Sequence, residues 1–322
     1  MIRYYLAAAA LKFFSLNRGT KRLYRDVLGN RFGAKRREKQ GLTQAYIERA
    51  ALLLNLCKKH NAVGDVMHIL EVGTGWTHFF AMFLRLFYDM RVTVVDIWDN
   101  RQFAPFHRTF AQLDGVLDMS FDLTDDERKR AHGVLKRIAE ARSFEEVYDC
   151  LGFDYVIDGI LDTLPSDTYD LIFSFHVIEH VFSRDVPRHV GNMARVLKPG
   201  GVQIHQIGID DHLAHYDKSA SMKQYLQYSN LRWRLCFENE VQYFNRLQRS
   251  EWLKLFADSR MVLEEELRET CDVSQMKVHR DFARLDRDDS PCIMLTLVLR
   301  KPWDAGNQSR RHGTRGSTGC VT

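Results

Sequence analysis

Apolar residues recur along the chain with two different periods. In "LTQAYIERAALLLNLCKKH", Leu42 to His60, Ala45, Tyr46, Leu52, Leu53 and Leu56 follow near-helical spacing. Thr43 is placed to cap the start of that helix, and Lys58, Lys59 and His60 suit the negative end of its dipole. Residues 1–62 as a whole read as helical. Then short apolar runs take over. "VMHILEVG" predicts a strand, "HFFAMFLRLFYDM" an apolar helix, and "RVTVVDIWD" a second strand with Asp96 at its end.

A helical insertion over 101–150 follows, including the charged "TDDERKRAHGVLKRIAEA". "DYVID" and "TYDLIFSF" predict the third and fourth strands, and "SRDVPRHVGNMARVL" a helix with Ser183 as candidate N-cap. "KPGG", Lys198 to Gly201, stops that helix, and "VQIHQIG" is the fifth strand. Strands alternating with helices imply a parallel sheet covered on both faces. Residues 209–244 break the alternation and read as a lid. "NRLQRSEWLKLFADS" is again helical, and "MVLEEEL" and "CIMLTLVLR" are late strands.

Composition narrows the class. At 322 residues and 45% hydrophobic, the chain can build a substantial core. Its six cysteines are scattered with no CxxC pair, which argues against a zinc ribbon or a disulfide scaffold and fits a reducing, cytoplasmic setting. No apolar run approaches the ~18–20 residues of a membrane span. "MIRYYLAAAALKFF" reads as an amphipathic helix that stays on the protein. The net charge is only +4, yet residues 1–60 carry fourteen Lys/Arg against Asp26, Glu38 and Glu48. That asymmetry is either a solvated face or an attraction to an anionic substrate or membrane surface.

The chemistry starts at "ILEVGTGW", Ile69 to Trp76. In a doubly wound sheet the ligand lies beyond the carboxyl ends of the strands, so the loop after the first strand holds the cofactor. A dinucleotide fingerprint needs a third glycine, where this chain has His78 after Gly73-Thr74-Gly75-Trp76-Thr77. Glu71 stands just before the loop, a poor neighbour for a pyrophosphate and a good one for a cation. S-adenosylmethionine (SAM) carries a sulfonium and an ammonium and no phosphate, so it suits this loop. Asp96, twenty-one residues after Gly75, can accept both ribose hydroxyls, though nicotinamide enzymes share that spacing. No P-loop motif is present.

These segments resemble the class I SAM-dependent methyltransferases. "ILEVGTGW" is similar to their first motif, "VTVVDIWD" to their ribose-binding acid, and "LPSDTYDLIFSFHVIEHV" to their fourth-strand motif. "RVLKPGGVQIHQIG" is similar to the helix-turn-strand that follows. Ile178-Glu179-His180-Val181 resembles the Leu-Glu-His-Val-like segment of the ubiquinone/menaquinone branch, methyltransferase type 11.

The resemblance covers roughly 63–208 and implies an α/β fold. The expected core is a Rossmann-like, doubly wound, mostly parallel seven-stranded sheet. The expected organisation is a basic helical extension at 1–62, a SAM-binding core at 63–208, an acceptor-binding lid and helix at 209–260, closing strands at 261–302, and a disordered tail at 303–322. The resemblance assigns Glu71, Gly73, Thr74, Gly75, Asp96, Ile97, Asp158 and His176 to the cofactor. Two departures stand out. Thr77 occupies the place of a third glycine, and the acid after the third strand is Asp158 or, given the irregular spacing, Asp162.

Methyl transfer is an in-line displacement that needs a nucleophile aligned with the leaving sulfur. A hydroxyl acceptor also needs a base, and His180, just past the fourth strand, is the first candidate. A cap or a packing role is the plain alternative. Asp210 is the reserve. It belongs to the acidic and histidine-rich "IDDHLAHYDKS", where Asp210, Asp211, His212, His215 and Asp217 cluster. With His205 these residues are candidate divalent-metal ligands. No fixed ligand spacing such as H-E-x-x-H is present, so no metal is expected.

The aromatics of 216–244 read as lid core. Tyr216, Tyr225, Tyr228 and Trp233, with Lys218, Arg232 and Arg234, also suit an anionic, ring-bearing acceptor such as a glycan. Nucleic acid is disfavoured, because the basic residues lie in separate segments and no RNA-binding module is visible. The expected function is SAM-dependent methylation of a small-molecule or glycan acceptor at oxygen. A catalytically silent binding protein and a nicotinamide-dependent oxidoreductase are the competing readings.

Overall fold

The computed structural model describes residues 1–158 and 161–303. The chain enters through α1 (Ile2–Phe14) and α2 (Arg18–Leu23), a π-helix (Tyr24–Phe32), α3 (Gly33–Gln40) and α4 (Gln44–Lys59). The hydroxyl of Thr43 accepts from the amide of Tyr46 and caps α4, as the sequence predicts. The buried face of α4 is Ala50, Leu53, Leu54, Leu56 and Cys57, while Ala45 is exposed.

Seven strands follow: β1 (His68–Val72), β2 (Arg91–Asp96), β3 (Phe153–Ile157), β4 (Tyr169–Phe175), β5 (Leu197–Gly208), β6 (Val262–Thr270) and β7 (Cys292–Arg300). They form one sheet in the order β3-β2-β1-β4-β5-β7-β6. The first five run parallel, and β7 lies antiparallel between β5 and β6. The cores of β1, β2 and β4 are buried, which explains their near-continuous Val, Ile, Leu and Phe content. The edge strand β6 is largely exposed and carries Glu264, Glu265, Glu266, Arg268 and Glu269, charges that discourage further strand pairing. The strand order reverses between β1 and β4, and a doubly wound sheet holds its ligand beyond the carboxyl ends of the strands at such a point.

Helix α5 (Phe79–Phe87) has all nine residues buried. It lies between the sheet and other helices, which accounts for its apolar character on every side. The insertion forms α6 (Phe103–Ser120), α7 (Asp125–Glu140) and α8 (Phe144–Leu151), packed in one core with α4 and α5. Thr124 and Glu127 form a capping box at the start of α7, and Ser143 caps α8.

Helix α9 (Val186–Val196) starts later than expected. Asp185 occupies its cap position without a side-chain bond, and Pro187 lies in the first turn, where a missing amide proton costs little. Ser183 is therefore not the cap; its hydroxyl lies 3.0 Å from that of Tyr243. Helix α9 ends at Val196, and β5 begins at Leu197, so Lys198–Gly201 belong to the strand rather than preceding it.

After β5 a segment of short helical turns and α10 (Asn230–Cys236) leads into α11 (Arg249–Asp258). Its apolar side packs on α1 in a separate core, where Tyr4, Ala8 and Leu11 meet Leu213, Tyr225, Tyr228, Trp233, Phe237 and Phe244. Those aromatics are thus structural. Of the expected tail 303–322, only Trp303 lies within the described residues. Among the described residues no helix is long and apolar enough to cross a membrane.

Candidate cofactor and acceptor site

The loop after β1 is built by close approach. Gly73 has φ +74°, and a Cβ there would lie 2.3 Å from Cγ1 of Val177. Glycine is required on both counts. Gly75 has φ +69°, and its amide donates to Oδ2 of Asp96 at 2.9 Å. His78 adopts a left-handed conformation at the start of α5 and makes no side-chain cap. Glu71 supplies that service instead. Its Oε2 accepts from the Thr74 hydroxyl at 3.0 Å and from the Ala81 amide, the third residue of α5, at 3.2 Å. Burial pushes the Glu71 carboxyl up to about 7, against the pull of the Thr74 and Ala81 bonds and with help from Asp96.

Asp96 ends β2 with Oδ1 held by the Ile97 amide at 2.7 Å. Burial pushes its carboxyl above the usual range, opposed by the backbone amides of Gly75, Ile97 and Trp98. Around it Trp76, Ile97, Trp98 and Ile157 are exposed, an apolar rim at the carboxyl ends of β1, β2 and β3. The N-terminal helices reach this rim. The Arg37 guanidinium lies 3.9 Å from the Trp76 ring centroid, and that of Arg25 lies 5.1 Å from Trp98. Asp158 follows β3, exposed and at φ +81°. Asp162 instead bonds Arg188 and Asn192 of α9, away from the rim.

Beyond β4 and β5 the ionisable groups converge. His176, at φ +55°, donates its amide to the Gln206 carbonyl at 2.9 Å, and its Nδ1 is 3.3 Å from Oε1 of Glu179. That same Oε1 accepts from the Gly208 amide at 3.1 Å, while the buried Oε2 has no partner. Burial opposes ionisation of Glu179, but the His176 bond and the nearby His180 outweigh it and hold the carboxyl below its ordinary range. Nδ1 of the exposed His180 donates to the Tyr243 carbonyl at 2.6 Å, which leaves Nε2 as the lone-pair nitrogen of the neutral ring. Asp210 faces the group from just beyond β5, with Oδ2 2.6 Å from Nε2 of His215 and Oδ1 3.9 Å from Nε2 of His212.

A model of the methyltransferase domain matches residues 17–259. The chain belongs to that family. It is a SAM-dependent methyltransferase of the class I fold. A search of curated proteins found no match. Among solved structures, it is similar to a SAM-dependent methyltransferase from Methanosarcina mazei at 15% identity, covering 76% of this chain and 97% of that one, with TM-score 0.41. It is also similar to a geranyl diphosphate methyltransferase at 15% identity, covering 78% and 85%, with TM-score 0.43. A phosphoethanolamine N-methyltransferase 2 from Haemonchus contortus matches at 13%, covering 77% and 52%, with TM-score 0.44.

Within the methyltransferase, the candidates from "IDDHLAHYDKS" separate. Asp210, His212 and His215 stay together near Glu179 and His180. Asp211 turns to α1 and accepts from the Tyr4 hydroxyl at 2.7 Å, and Asp217 accepts from the Tyr4 amide at 3.3 Å. His205 is a core residue, held by Ser174 at 2.8 Å and Gln203 at 3.0 Å, and burial pushes its imidazole down to about 3. Sequence reading missed the part played by Tyr243 and Phe244, which fix His180 and stack on His212 at 4.5 Å. No local motif marks them, because only the path of the chain between α10 and α11 brings them to the site. It also missed the Arg25 and Arg37 stacking, which joins segments more than thirty-five residues apart.

Proposed function

We propose that the protein transfers a methyl group from SAM to a hydroxyl of a small polar acceptor, a free metabolite or a sugar unit of a glycan. The observation that carries this is the cluster of His176, Glu179, His180, Asp210 and His212, gathered past β4 and β5 next to the glycine loop. In this reading Gly73, Thr74, Gly75 and Glu71 form the methionine side of the cofactor site. Asp96 takes the ribose hydroxyls, Ile97 and Asp158 border the adenine, and His176 lines the cleft. Glu71 acts at one remove, since its carboxylate is spent on Thr74 and Ala81 and sets the shape of the loop.

The acceptor oxygen attacks the methyl carbon in line with sulfur. The carbon–sulfur bond breaks, its electron pair stays on sulfur, and neutral S-adenosylhomocysteine leaves. Nε2 of His180, directed by the Nδ1 bond to Tyr243, takes the hydroxyl proton. Asp210 is the weaker choice of base. Burial raises its carboxyl, but the His215 bond and the charges of His212 and His215 outweigh that and hold it low.

The acceptor side is closed by the lid and α1. Ile2, Leu6 and Phe13 of α1, and Leu16 just beyond it, are exposed among basic neighbours. That arrangement favours peripheral contact with an anionic membrane in a cytoplasmic setting. The test of the main reading is incubation of the pure protein with methyl-labelled SAM and a panel of hydroxyl, amine and thiol acceptors, read by mass gain. Label entering only amines or thiols contradicts the oxygen assignment.

A further inference from the structure

We propose that Glu179, His180 and His212 form a binding site for one divalent transition-metal ion, which holds the acceptor oxygen. The clause about the acceptor rests on the methyl-transfer reading above; the site itself does not. One carboxylate oxygen and one ring nitrogen from each histidine lie within 4.8 Å of one another, close enough to converge on a single ion. Three further observations point to a ligand there.

Oε2 of Glu179 is buried and has no hydrogen-bond partner, although Oε1 has two. An unpaired buried carboxylate oxygen is costly unless something positive meets it. Next, Nδ1 of His180 is bound to the Tyr243 carbonyl, so Nε2 offers its lone pair. Orienting a histidine through its other nitrogen is what metal sites require of their surroundings. Finally, the His212 ring is mostly buried and held beside Phe244, with ring centroids 4.5 Å apart.

The donor set decides the ion. Two imidazoles and one carboxylate suit Zn²⁺, Mn²⁺ or Fe²⁺, and disfavour Mg²⁺, which prefers oxygen ligands throughout. Three protein ligands leave positions open for an acceptor. Asp210 lies beside the group, with its Oδ1 3.9 Å from Nε2 of His212. A bound ion uses the lone pair that otherwise takes a proton, so the two uses of His180 exclude each other. A bound ion would supply Lewis acidity to a hydroxyl held at its open position, lowering that hydroxyl's pKa so that the proton could pass to solvent.

The test uses the full chain stripped with a chelator. Zn²⁺ binding is read by calorimetry and Mn²⁺ binding by loss of the free-ion EPR signal. SAM affinity and thermal melting report folding for each variant. We expect one ion per chain, with affinity falling about tenfold or more in His212→Ala and in Glu179→Gln. His212→Asn serves where a variant does not fold. No binding overturns the proposal, and so does binding that survives both substitutions. Loss in His132→Ala instead would locate the ion at the exposed His132, Asp114 and Asp118 group and overturn it equally. Metal binding without SAM binding would support this site while removing the methyl-transfer reading.

Discussion

The amide of Gly75 lies 2.9 Å from Oδ2 of Asp96, so the loop after β1 and the end of β2 are fastened together. The carboxylate thus does two things. It fixes the glycine loop, and it accepts from the Ile97 amide at the foot of the exposed Ile97 and Trp98. Asp96→Ala is expected to weaken SAM binding by more than about tenfold, a loss typical of a charge-assisted contact, while melting cooperatively. Unchanged affinity in a folded Asp96→Ala would remove Asp96 from the site.

Glu71 predicts a pH effect on stability. Its folded-state pKa, about 7, lies above that of an exposed glutamate. A raised carboxyl stabilises the fold at acidic pH, and the contribution is lost as pH rises towards and through 7. Glu71→Gln removes this pH dependence. Subtracting the denaturant stabilities of the two proteins between pH 4 and pH 8 should give a difference that drifts in favour of the glutamine variant by on the order of 2 kcal/mol. A flat difference means that Glu71 is ionised in the fold.

The fold was legible because its signals are local. Buried parallel strands advertise themselves as apolar runs, and "ILEVGTGW" carries its glycines and acid within eight residues. The end of β2 followed from spacing. The acceptor side was legible only as a list of reactive residues. Asp210, Asp211, His212, His215 and Asp217 look equivalent in sequence, yet α1 draws Asp211 and Asp217 away while β4 and β5 gather the others around Glu179. His205, two residues beyond Gln203 on β5, faces Ser174 and Phe256 in the core, a consequence of strand alternation and sheet coverage that only the assembled fold displays.

The basic N-terminus makes its own prediction. The outward residues Ile2, Leu6, Phe13 and Leu16 should insert at a membrane surface while the nearby lysines and arginines meet anionic headgroups. Co-sedimentation with anionic vesicles should exceed that with neutral ones and fall with salt. Replacing Leu6 and Phe13 by Ser should abolish it. Equal partition to both vesicle types would leave α1 only its role as the cover of the lid.

His180→Ala should lower turnover by about 10²-fold or more with the true acceptor, because the ring works on the acceptor oxygen in either use of its Nε2. SAM affinity should stay close to that of the unaltered protein. Full turnover in the folded variant would reduce catalysis to proximity and orientation alone.

Calorimetric titration of the purified protein with SAM, and separately with NAD, tests whether SAM is the cofactor this chain holds. Saturable binding of one SAM per chain, competed by S-adenosylhomocysteine, with no heat from NAD, is the predicted result. Binding of NAD, or no binding of SAM to the folded protein, would contradict it.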